Sequence, residues 1–166
     1  MLLSLTLLSM AVVTDLRSFR ISNCLIVIGF ILGLIFQIFT YGVRGAGVFF
    51  LNVSIPMILF YLLFLIRVLG AGDVKLFSMI GGIWGVQILC KTIVISFLAG
   101  AAMSLCKLLY QRNLISRLLV FREYAYQVLH TGKLSEYPQE VQGKDHVIHF
   151  SIAILIGYAI AMEVGY

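Results

Sequence analysis

Apolar residues run on in long stretches along this chain, separated by short polar clusters. Six such stretches follow one another, at residues 1–13, 21–39, 48–69, 76–89, 92–109 and 147–164. A helix rises about 1.5 Å per residue, so roughly 20 apolar residues cross the ~30 Å hydrocarbon layer of a bilayer. The pattern predicts an all-α fold, a polytopic membrane protein with about six transmembrane helices. The third stretch is interrupted by Asn52, Ser54, Pro56 and Arg67, and Pro56 is expected to kink its helix rather than end it. The fourth is short and glycine-rich around Gly81, Gly82 and Gly85, which suits a tilted or half-membrane helix. The first has neither the charged start nor the small-x-small cleavage signal of a secretory leader, so it is expected to remain a span.

Composition moves the reading away from soluble proteins altogether. The 166 residues are 61% hydrophobic and 11% charged, with a mean hydropathy of +1.06, which no ordinary soluble domain shows. With six spans, one membrane face receives Arg17, Arg20, Arg67, Lys75, Lys107, Arg112, Arg117, Arg122, Lys133 and Lys144, and the other only Arg44 and Lys91. The positive face is the cytoplasmic one, so both termini are expected outside the cytoplasm and the chain in the inner (cytoplasmic) membrane, as a multi-pass protein. The net charge of +5 then reads as topology and as attraction to anionic lipid. No basic patch with interleaved aromatics points to nucleic acid.

Cys24, Cys90 and Cys106 are isolated in apolar stretches, without metal-ligand spacing, and are expected to be buried small hydrophobes; no metal, disulfide or cofactor is expected. The chain reads as a single membrane-embedded domain over 1–166, without repeats. Its polar stretch lies between the fifth and sixth spans, at 111–146. There Leu114, Ile115, Leu118, Leu119, Phe121 and Val128 alternate with Arg112, Arg117 and Arg122, as in an amphipathic helix on the inner membrane surface, and a loop follows with Gly132, Pro138 and Gly143. His130, His146 and His149 read as interfacial rather than catalytic.

Chemistry narrows to two acids out of seven. Glu123, Glu136, Glu140 and Asp145 fall in the polar stretch and Glu163 near the outer end of the last span, whereas Asp15 and Asp73 both fall at the cytoplasmic ends of apolar stretches. Ionisable groups at that depth are costly and point to function. Two carboxylates in a poorly solvated site hold one proton between them, which is what water-mediated peptide hydrolysis requires: one member takes a proton, the other polarises the carbonyl. A lone aspartate is as well explained as a helix cap or an interfacial acid, so the neighbouring residues decide.

Gly70-Ala71-Gly72-Asp73 matches the G-x-G-D motif of intramembrane aspartyl proteases, with Lys75 two residues on. Gly70 and Gly72 are expected to supply the backbone conformations and close approach that bring Asp73 against another helix. Upstream, Asp15-x-Arg17-x-x-x-Ile21-x-Asn23 resembles the stretch around the first catalytic aspartate of the prepilin peptidases, usually D-x-R-x-x-x-I-P-N. Ser22 replaces the usual proline and is expected to cap the second helix instead. Arg17 and Lys75 fit either a tuning of nearby acids or plain positive-inside anchoring.

The resemblance runs over residues 1–109, with a weaker echo at His149-Phe150-Ser151-Ile152-Ala153. It implies catalysis by Asp15 and Asp73. The substrate it implies is a type IV pilin-like precursor, whose short positive leader is cut off at the cytoplasmic face before the pilin's own membrane helix. The larger family members carry a cytoplasmic loop with paired cysteines and also methylate the new pilin N-terminus. This chain resembles the short form found in tight-adherence or Flp pilus systems, for which methyl transfer is not expected. The glycines at Gly81, Gly82, Gly85 and Gly100 fit either packing against a substrate helix or, the favoured reading, packing among the chain's own helices. A small transporter and a non-catalytic membrane scaffold are the rival classes. The first would place its acids near the midplane in repeated halves; the second would tolerate Asp→Asn at both positions. The oligomeric state is not legible.

Overall fold

The computed structural model describes residues 2–18, 20–66, 68–110 and 149–165. Among them there are seven helices and no strand: α1 Leu2–Ser18, α2 Asn23–Tyr41, α3 Val43–Leu59, α4 Tyr61–Leu65, α5 Ala71–Trp84, α6 Val86–Tyr110 and α7 Phe150–Gly165. The all-α expectation holds. The amphipathic helix and loop expected at 111–146, with His130 and His146, lie outside the described residues. Residues 1–100 with 149–166 form one compact unit and 101–148 another, of which the described part is the end of α6. All that follows concerns the first unit.

Within that unit α5 is the central helix, packed against α2, α3 and α7, and the run from Leu76 to Ile83 is buried on every side. A helix apolar all round is a core helix, and at 14 residues, roughly 21 Å, this one is shorter than a bilayer's hydrocarbon layer. α2 and the 86–107 part of α6 are long and apolar enough to cross a membrane. Large apolar side chains such as Ile31, Ile35, Phe36 and Phe39 on α2 point outward, as they do on a surface that meets lipid.

Several boundaries differ from those the apolar runs predict, each for a local reason. Gly42 has a φ of 63°, so α2 turns into α3 through one residue and α3 begins at Val43 rather than at residue 48. Gly85, with a φ of 82°, likewise separates α5 from α6, and Lys91 lies inside α6 rather than in a loop. The apolar run 76–89 thus belongs to two helices, because hydropathy does not register a left-handed residue. The first helix extends beyond residue 13 to Ser18, with the Thr14 and Ser18 hydroxyls turned back onto the carbonyls of Ala11 and Thr14. Pro56 is inside α3, which ends three residues later, yet Phe60 and Phe64 still bond to the carbonyls four residues back. α3 and α4 are therefore one helix interrupted at Phe60, close to the expected kink.

Glycines account for the close helix packing. Pro56 has no N–H to offer the Asn52 carbonyl, and Gly81 lies against that carbonyl, where a Cβ would stand 2.9 Å from the oxygen. Gly82 fits beneath Phe49 and Val53, and Gly100 beneath the Phe150 ring. On α6, Thr92 and Ser96 meet Gly157 of α7, a small-residue seam of the kind that lets membrane helices touch backbone to backbone. The favoured reading of these glycines, packing among the chain's own helices, is the one observed. Gln37, buried in α2, donates to the carbonyls of Gly82 and Ile83 at 3.2 and 3.3 Å, satisfying the end of α5. The three cysteines are exposed rather than buried, Cys24 and Cys90 in this unit and Cys106 in the other.

Candidate active site

Asp73 occupies the first turn of α5, with Gly70 as the N-cap residue. Its carboxylate accepts a hydrogen bond from the Gly70 backbone N–H, the reach-back of a third-position acid to the cap. Gly70 has an ordinary φ of −73°, so the expectation of unusual backbone there is corrected. What its missing side chain provides is room, since a Cβ would stand 3.1 Å from Asp73 Oδ2.

Asp15 lies in the last turn of α1, the end of the first apolar helix as expected, and is 16% exposed. Asp73 is within range to feel its charge. The two acids singled out from sequence stand on the last turn of α1 and the first turn of α5, 58 residues apart in the chain.

The motif residues meet as well. Gly72 packs on Ile21: a Cβ placed there would be 2.9 Å from Ile21 Cδ1, so the Ile21 side chain would have to shift to admit it. Lys75 Nζ donates to Asn23 Oδ1 at 2.8 Å. The downstream motif therefore touches the upstream one through two of its members, one by shape and one by hydrogen bond. Arg17 stays exposed at the end of α1, as an anchoring residue would. Ser22 stands at the N-cap position of α2 in extended backbone, but its side chain makes no cap hydrogen bond.

These contacts unite the two halves of the resemblance in one place. A model of the type IV leader peptidase family matches residues 2–105, most of the chain and both aspartates. The chain belongs to the type IV leader peptidase family. It is accordingly a protease, and the family processes type IV pilin precursors. No curated protein and no solved structure matches the chain.

The peptidase also carries two site residues that sequence reasoning missed. Ser151 Oγ donates to Asp15 Oδ2 at 2.6 Å, and His149 Nδ1 lies 3.2 Å from the same oxygen. His149 is therefore not merely interfacial. The signal was present in the weak echo at 149–153, but nothing in the local pattern shows that the start of the last helix reaches the end of the first.

Two hollows are lined by residues near the two motifs. One of about 460 Å³ lies between α1 and α2, beside Thr14 and Ser22; another of about 230 Å³ lies between α4 and α5, beside Ala71 and Lys75. A third cavity, of about 410 Å³ and lined by Ser4, Phe36 and Trp84, is apolar and sits toward the other end of α1. Among the described residues no group of His, Cys, Asp and Glu side chains is placed to hold a metal.

Proposed function

We propose that the peptidase is a multi-pass aspartyl endopeptidase of the cytoplasmic membrane. It crosses that membrane six times with both termini outside the cytoplasm, and removes the short positive leader of a type IV pilin-like precursor at the inner face. Asp15 and Asp73 are the catalytic pair. What supports this reading is the contact between the two motifs that carry the aspartates, through Gly72–Ile21 and Lys75–Asn23.

The pair enters the reaction with one proton. As the water oxygen bonds to the scissile carbonyl carbon, the ionised carboxylate takes a water proton and the protonated one gives its proton to the carbonyl oxygen. Collapse breaks the C–N bond. The proton taken from water passes to the leaving amine, and a hydroxyl proton of the intermediate returns to the other aspartate, so the pair regains its starting state. The substrate's leader is basic and its next segment a membrane helix, which suits a site at helix ends beside Arg17 and Lys75, near anionic headgroups.

Co-expression with a pilin-like precursor tests the reading by a size shift. Asp15→Asn and Asp73→Asn, made separately and checked for membrane level, should each lower cleavage by about 10²- to 10⁴-fold, the worth of a general acid or base. Cleavage retained in either removes that residue from the pair and restores the scaffold as the better account.

A further inference from the structure

The two aspartates do not have equal local support. Asp73 sits at a helix N-terminus, where backbone N–H groups favour an anion, and takes one of them from Gly70. Asp15 sits at a helix C-terminus, where the exposed carbonyls disfavour one. An aspartate there needs donors from elsewhere, and Ser151 of α7 and His149 just before it are placed to give them. Ser151 donates at 2.6 Å and His149 Nδ1 lies at 3.2 Å, both on Oδ2. Hydrogen bonds to a carboxylate are among the stronger ones, and two on one oxygen fix its plane as well as its position. Oδ1 is then the oxygen left to exchange a proton.

The start of α7 is itself held. Phe150, between the two residues, packs against Phe97 and Phe77 with ring centroids 5.4 and 6.4 Å away, and Gly100 leaves the space its ring occupies. Ser151 is buried and His149 is only 18% exposed. Both residues lie beyond the family match, which ends at residue 105.

We propose that His149 and Ser151 are positioning residues of the peptidase reaction, which hold Asp15 through Oδ2 so that Oδ1 meets the reacting water. The proposal rests on the reading of Asp15 and Asp73 as the catalytic pair. It makes the last helix part of the active site, not a membrane anchor alone.

The test is steady-state cleavage by the full chain, purified in detergent, of a type IV pilin precursor with a short basic leader. Ser151→Ala and His149→Leu should each lower kcat by about 10- to 100-fold with KM little changed, as expected for loss of a hydrogen bond to a charged group. His149→Asn, whose amide nitrogen stands near the place of Nδ1, should recover most of the rate. Wild-type kcat in both loss variants overturns the proposal, and so does a rise in KM alone or an equal loss in His149→Leu and His149→Asn. Should Ser151→Ala not reach the membrane, the two histidine variants decide. Asp15→Asn and Asp73→Asn are measured alongside: if either still cleaves, the catalytic pair is wrong, whereas if both are dead and the His149 and Ser151 variants are normal, only the positioning role fails.

Discussion

The Asp73 end of the site and the Asp15 end are built in different ways. At Asp73 nearly everything is local: the acid, the amide it accepts from, and the glycines that admit it all fall within four residues, and Lys75 follows one turn into α5. At Asp15 little is local. Its own helix gives it no donor, and its partners arrive on α7, more than 130 residues later. A compact motif suffices for an acid at a helix start, because the backbone there already favours negative charge. An acid at a helix end depends on tertiary packing, and so on the seam that seats α7.

That difference predicts which substitutions far from the chemistry do the most harm. Gly157 touches no aspartate, but it is the place where α7 lies directly on the α6 backbone at Thr92 and Ser96. Gly157→Leu should force the two helices apart at a cost of about 3 kcal/mol, from overpacking that no rotamer relieves. Thermal melts in detergent should register the loss, and cleavage should fall with it because His149 and Ser151 are carried away from Asp15. A variant with unchanged melting and activity would show that the seam does not hold the Asp15 end. The corresponding disturbance at the other end is smaller. Gly72→Ala meets the tip of Ile21, a flexible side chain rather than backbone, and should cost about 1–2 kcal/mol and lower cleavage. Shortening the neighbour with Ile21→Val should restore part of both in the double variant; no restoration would mean that Gly72 matters for some reason other than this contact.

The same difference governs what could be read from the sequence. The all-α fold and the family were legible because hydropathy marks helices and both motifs are short-range patterns. Helix boundaries at Gly42 and Gly85 were not, since a single left-handed glycine leaves no trace in an apolar run. The expected 13-residue first span missed Thr14 to Ser18 for a related reason: polar residues that face a site continue a helix without continuing its hydrophobicity. Gln37 was hidden inside an almost unbroken apolar stretch, although a buried amide there has the definite task of ending α5. The contacts of His149 and Ser151 with Asp15 leave no mark in the local pattern, because they exist only once α7 docks. The cysteines were misplaced by carrying a soluble-protein rule, that apolar positions are interior, onto helices whose outer faces are also apolar.

The Lys75–Asn23 hydrogen bond sharpens the comparison at its weakest point, because it is a polar link between the two motifs and it is exposed. Exposed links of this kind contribute little to stability, so Lys75→Met and Asn23→Ala should each cost under about 1 kcal/mol in a melt. If the link serves to register α5 on the start of α2, the two substitutions should lower cleavage alike, by a few-fold at most, and the double variant should be no worse than either single one. Losses that add would mean that the two residues act separately. Lys75 would then owe its place to the leader or the headgroups rather than to Asn23, and the Asp73 end would be held by shape alone, through Gly72 on Ile21.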